Sequence, residues 1–265
     1  MSALPAASHV GPLLREWRLR RRLSQFDVAL EAAVSSRHLS FVETGRARPS
    51  RELVLHLADH LEVPLRERNT LLLAAGYAPM FRETPLDAEE LAPVRAALDQ
   101  ILRGHEPFPA VVVDRRWDLV TANTAALSVL GGGVAPELLE PPANTLRLCL
   151  HPDGLAPRIV NFAEYAGDLL HRVHRQAILA ADAELAALEA ELRTYPQVAD
   201  APRAPVETTP ALFVPLVLRA GDATLTFFST IATFGTALDV TVAELAIESF
   251  FPADDATADA LRGLG

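Results

Sequence analysis

Ser36, Arg37, Ser40 and Phe41 follow a serine at helical spacing, in a stretch of chain whose charge is unlike the rest. An arginine on an exposed helix face can donate two parallel hydrogen bonds to O6 and N7 of a guanine, a pair that discriminates between bases by about 1–3 kcal/mol. The net charge of −10 argues against such a partner until the charges are placed. Residues 1–82 hold 12 Arg against 8 acidic residues, and the remainder holds 12 Arg against 26. The basic excess is therefore N-terminal, as expected of a head that meets phosphate joined to a body that phosphate repels. Every basic residue is Arg and none is Lys, which suits bidentate contacts to phosphate and guanine.

Other chemistries find less support. Cys149 is the single cysteine, so an internal disulfide and any multi-cysteine metal site are excluded, and between Leu148 and Leu150 it reads as a small buried apolar residue. His171 and His174 could share a metal with Glu164 or Asp168 on one helix, but many surface helices offer that spacing; no metal is expected. His151 falls in a turn shaped by Pro152 and Gly154. Glycines 131–133 lack the Lys and Ser or Thr of a phosphate-binding loop, and no nucleophile elbow, zinc-protease helix or dinucleotide fingerprint occurs. The chain does not read as an enzyme. It has no apolar run long enough to span a bilayer and no signal-peptide pattern at its start, which together read as a cytoplasmic protein.

Five short helices should position the N-terminal candidates. The first spans about 12–22 and buries Leu14 and Trp17. Ser24 caps the second, which carries Phe26, Val28, Ala29 and Leu30. After a tight turn at Val34, Ser35 caps the third, with Leu39 and Val42 inward and Gly45 as its stop. Ser50 caps the fourth, with Leu53, Val54, Leu57 and Leu61 inward, and the fifth runs from about 65 to 75. Two helices joined by so short a turn form a unit that can enter a major groove.

A boundary near residue 82 separates residues 1–82 from residues 83–265. The second part opens with a helix over about 88–103, interrupted or started by Pro93. PAVVVD and RWDLVTA read as strands, followed by a helix capped by Asn123. Residues 161–194 are helical with a break at 180–182, and a Pro-rich connector covers 196–210. LFVPLVLR and ATLTFFSTIATF flank a turn at Gly221 and Asp222, and VAELAIESFF reads as a last strand. The sum is an α+β domain whose antiparallel sheet carries helices on one side.

The stretch LSQFDVALEAAVSSRHLSFVETGRARPS resembles the helix-turn-helix of the phage-repressor and Cro class, the xenobiotic-response-element type. The resemblance implies base contact by Ser36, Arg37, Ser40 and Phe41, with Phe41 standing where many relatives carry a polar residue. It implies phosphate anchoring by Gln25, Arg46 and Arg48, and an internal ion pair between Arg18 and Glu43. Of the run Arg20, Arg21 and Arg22, the last is the candidate for a further phosphate contact. Trp17 reads as core.

The segments EPFPAVVVDRRWDLVTANTAA, LRLCLHPDGLAPRIVNFAEYAGDLL and LTFFSTIATFGTALDVTVAELAIESFFPAD, with the head's RHLSFVETGRARPSRE, are similar to the MmyB-like regulators of actinobacteria over nearly the whole chain. That resemblance implies a PAS-like ligand-binding domain behind a DNA-binding head, hence a homodimer on a double-stranded operator. Phe227, Phe228, Ile231 and Phe234 are the pocket candidates, and few charges lie near them, which favours an apolar small molecule or fatty acid. Strand alternation sends Phe227 and Phe228 to opposite faces. Two alternatives stand beside this reading: a constitutive DNA-binding regulator whose body only dimerises, and a protein-interaction module that meets no DNA.

Overall fold

The computed structural model describes residues 10–199 and 213–263. Contacts divide them into two units. One runs up to Thr84 with the short segments Ile178–Ala180 and Ala237–Val240, and the other holds the remaining described residues.

The first unit is helical: α1 (Val10–Arg20), α2 (Gln25–Glu31), α3 (Ser36–Glu43), α4 (Arg51–His60) and α5 (Leu65–Ala74). Serines start three of these helices. The Ser24 hydroxyl accepts from Asp27 N while the Asp27 carboxylate accepts from Ser24 N, a reciprocal cap; Ser35 accepts from His38 N and Ser50 from Leu53 N. Helix α1 begins and ends about two residues earlier than its pattern suggests, because Arg22 turns the chain with φ +57. Leu14, Trp17, Val28, Leu39, Val42, Val54, Leu57 and Leu71 fill the centre. Phe26 and Leu30 of α2 face outward instead, 67% and 70% exposed. Gly11 permits the crossing of α1 over α3: a Cβ there would lie 2.3 Å from the Val42 carbonyl oxygen.

In the second unit a 3-10 turn leads into α6 (Ala92–Gly104), with Pro93 in its first turn, where no N–H is needed. Strands β1 (Ala110–Val113) and β2 (Leu119–Ala122) precede α7 (Thr124–Leu130), whose cap Asn123 accepts from Ala126 N. Then come α8 (Pro136–Leu139), α9 (Thr145–Leu150), α10 (Phe162–Ala180), α11 (Ala183–Leu192) and α12 (Pro196–Ala199). The break between α10 and α11 falls where Ala181 takes φ +59 and Asp182 caps the next helix. Most of the Pro-rich connector lies outside the described residues. Strands β3 (Leu216–Ala220) and β4 (Ala223–Thr233) form a hairpin, with Gly221 at φ +61 in its turn. A short helix, α13 (Val240–Ala243), precedes β5 (Ala246–Pro252), so only the later part of VAELAIESFF is strand; α14 (Asp255–Arg262) follows.

The sheet is antiparallel throughout, in the order β2-β1-β5-β4-β3. Together with the helices it makes the α+β, PAS-like layout. Its two faces follow from register. Val111 pairs with Glu248 and Glu248 with Ile231, so that row, with Val113, Phe250, Phe227 and Leu225, points to one side, where α7, α9, α10 and α11 supply the covering core. Ala110, Val112 and Ile247 point to the other side, onto Leu98 and Leu102 of α6. The expectation of helices on one side is corrected here: all four residues of β1 are buried, and a strand apolar in both rows needs cover on both faces.

Candidate functional site

The outward surface of the first unit centres on α3. Ser36 and Arg37 are exposed, Ser40 and Phe41 partly so, while Leu39, Val42 and Glu43 on the opposite side are buried. Arg37 and Arg46 flank the Phe41 ring, with guanidinium carbons 5.3 and 6.0 Å from its centroid. The ring thus holds two cations beside the N-terminal turn and the C-terminal end of one helix. Arg46 follows Gly45, which ends α3 at φ +72.

Below this face lies a buried ionic cluster. Arg18 Nε and Nη2 donate to Glu43 Oε1 and Oε2 at 2.7 and 2.9 Å, and Gln25 Nε2 donates to Glu43 Oε2 at 2.8 Å. Burial works to raise the Glu43 carboxyl, but the Arg18 and Gln25 hydrogen bonds and the Arg18 charge hold it below the usual carboxylate value. Glu43 therefore ties the starts of α2 and α3's far end to α1. Gln25 keeps a second amide hydrogen for other use. Arg48 sits at the end of α5, donating to the Ala75 carbonyl at 3.1 Å and lying 5.6 Å over the Tyr77 ring. Arg21 plays the matching part at the end of α4, donating to the Leu61 and Glu62 carbonyls, and Arg20 pairs with Glu16 over the buried Trp17. Arg22 is exposed in the turn between α1 and α2.

Between its sheet and the helices that cover it, the second unit holds a partly open cavity of about 80 Å³, several times the roughly 10–15 Å³ that seats one water. Its wall is mostly apolar, from residues such as Val111, Leu119, Ala126, Leu146, Leu169 and Phe250. Trp117 adds its ring from the β1–β2 turn, where φ +66 holds it in the left-handed region and its Nε1 donates to Gln176 Oε1 at 2.9 Å. Four polar groups interrupt the wall: Thr145, Cys149, Tyr165 and Glu248. Burial pushes the Cys149 thiol up to about 12, with the Glu248 charge adding to the effect.

The expected pocket residues are elsewhere. None of Phe227, Phe228, Ile231 and Phe234 lines this cavity. Phe227 is fully buried against Phe250; Phe228, one residue on, stacks with Phe251 on the opposite face; Ile231 is 44% exposed near the end of β4; Phe234, past that end, packs toward α6. The pleat and the strand's length disperse them.

A family model, that of the MmyB-like transcription regulator ligand binding domain, matches residues 94–264. The chain belongs to this family. A helix-turn-helix domain model matches residues 9–71, which contain α1 to α4 and most of α5. No curated protein matches the chain. This MmyB-like regulator is thus a DNA-binding transcription regulator with a ligand-binding domain, and the two surfaces described above lie one in each matched region.

Two polar residues of the cavity wall in the MmyB-like domain escaped the sequence reading. Glu248 is a lone acid inside AIESFF, in the same alternating row as Phe250; Tyr165 stands four residues before Leu169 on the buried stripe of α10. Both signals were present, an acid in an apolar strand row and a phenol in a core stripe, but which side of each element faces a void follows only from packing. His174 Nδ1 lies 2.9 Å from Glu189 Oε2, and among the described residues no group of His, Cys, Asp and Glu gathers to hold a metal. Also among them, no helix is long and apolar enough to cross a membrane.

Proposed function

We propose that this regulator reads a double-stranded operator with the outer face of α3 and that a small, largely apolar molecule held in the cavity of the sheet domain sets its affinity for that operator. Base contact falls to Ser36, Arg37, Ser40 and Phe41. Arg37 stands in the first turn of α3, where a recognition helix meets base edges. Arg22 and Arg46 grip phosphates on either side, with Gln25 and Arg48 contributing their remaining donors. One short helix reads few bases, so the working form is a homodimer on a two-fold operator, acting in the cytoplasm. The ligand is a compact molecule or a short acyl chain, because the cavity is below the roughly 300 Å³ at which drug-sized sites begin.

The observation that carries the ligand half is a partly open, mostly apolar pocket between the sheet and the helices that cover it, in a core where close packing is the rule. Titration of labelled DNA from upstream of the protein's own gene cluster, followed by anisotropy across a salt series, tests the DNA half; a salt-sensitive affinity is expected. Binding that is absent at low salt would support a protein-interaction role instead. Native mass spectrometry of the purified chain tests the ligand half, and a co-purified small molecule that alters the titration is the expected result.

A further inference from the structure

Strand β4 is longer than its outer neighbour. Ala223–Phe227 pair with β3, whereas Phe228–Thr233 pair with β5 alone. Past Phe227 the outer side of β4 is therefore the edge of the sheet, and no strand or bridge among the described residues lies along it. Thr230, Ile231, Ala232 and Thr233 are all exposed. Hydrogen bonds nearby fix which backbone groups look outward. The Thr226 carbonyl accepts from Ala253 N at 2.8 Å, just past β5, and Phe250 N donates to the Pro109 carbonyl at 2.9 Å, on the β1 side. Backbone groups of successive residues alternate between the two sides of a strand, so Phe228, Thr230 and Ala232 use theirs on Phe251, Ser249 and Ile247. The N–H and C=O groups of Ser229, Ile231 and Thr233 point to the open edge.

An uncovered edge is a template for another strand, and proteins ordinarily blunt it with lysine, proline or a bulge. Here the stretch from Phe227 to Gly235 carries no charge and no proline, and the β4–β5 register runs through it without a shift. Its surroundings decide what can cover it. Residues 83–265 hold 26 acidic residues against 12 Arg, so two copies of this domain repel over most of their surface. The β4 edge is a neutral window in that surface, and it is its own complement. Turned antiparallel to itself about Ile231, it sets Ile231 against its counterpart, Ser229 against Thr233 and Thr230 against Ala232, small or β-branched pairs of the kind that stabilise adjoining strands. The outward N–H and C=O groups of Ser229, Ile231 and Thr233 find each other in the same step.

We propose that a second copy of this chain adds to the sheet at the open edge of β4, antiparallel about a two-fold axis at Ile231. This rests on the homodimer set out under the proposed function and supplies its interface, the same patch on both copies. The contact is short, so the dimer is weak in free solution and is completed when both heads hold half-sites of one duplex.

Sedimentation velocity of the full chain tests the assignment. Wild type is expected to pass from monomer to dimer across the micromolar range. Ile231→Lys and Ile231→Glu each place like charges across the axis and should weaken the dimer about tenfold or more, and an equal mixture of the two should restore it as a heterodimer. Dimerisation unchanged in both variants overturns the β4 interface and leaves the homodimer standing. Wild type that stays monomeric throughout also overturns the interface, and if it titrates as one chain per operator duplex the homodimer falls with it. Should either variant fail to fold, hydrogen exchange of the wild-type protein decides: the Ser229 and Ile231 amides should be protected at dimer concentrations and exchange freely on dilution. Protection that survives dilution to the monomer, or none at high concentration, overturns the proposal.

Discussion

The two halves of this molecule present their chemistry in opposite directions. The helical head keeps an ionic cluster inside, Arg18, Glu43 and Gln25, and puts its candidate contacts outside, Arg37 and Phe41 on α3. The sheet domain packs an almost unbroken apolar core, yet leaves beside it a partly open cavity whose wall is mostly apolar. The polar groups buried in the head are tied to one another, whereas Thr145, Cys149, Tyr165 and Glu248 interrupt the wall of an otherwise apolar cavity. A satisfied buried network fixes a shape, whereas an apolar cavity beside a core marks a place where a ligand can bind.

The difference can be broken from the head's side most forcefully. Glu43→Ala leaves Arg18 as an uncompensated buried charge, and a loss of about 3–5 kcal/mol in the stability of the head is expected, read by thermal or denaturant unfolding. Because Glu43 titrates below the usual value near 4.5, its contribution is present in full above that pH and fades as the pH falls through the lower folded value; melting curves of wild type and Glu43→Ala should therefore converge in acid. On the sheet side, Leu146→Ala removes a buried side chain from the cavity wall and should cost about 2–5 kcal/mol. A smaller loss there would mean that the wall is already loosely held. Finest of all is the contrast between two arginines that resemble each other in sequence. Arg46→Ala should lower the salt slope of DNA binding by about one, with little effect on melting. Arg48→Ala should, besides any loss of phosphate contact, cost about 1 kcal/mol of stability, because it removes a bond to the end of α5.

Those two arginines also show how far a sequence can be read. Ser24, Ser35 and Ser50, the stop at Gly45 and the apolar spacing of Leu39 and Val42 are local signals, and they suffice to place α3 and its outer face. Arg48 acts on a carbonyl 27 residues away, and nothing near position 48 announces it. In the sheet domain the strands around the 221–222 turn and the break at 180–182 are legible for the same local reasons. The cavity is not. The adjacent aromatic pair in β4 draws attention to Phe227 and Phe228, yet the cavity lies under β1 and β5, where pairing of Val111 with Glu248 and the approach of α9 and α10 create it. Register and packing are properties of partners, not of the strand itself.

The central claim is that Arg37 on α3 reads a base in the operator. A double-mutant cycle tests it: duplex affinity of wild type and Arg37→Ala at one fixed salt concentration, each on the operator and on a version in which one candidate guanine is replaced. At one guanine the account predicts that the wild-type protein loses about 1–3 kcal/mol on replacement and that Arg37→Ala loses almost nothing. Equal losses for both proteins at every guanine of the site would contradict it.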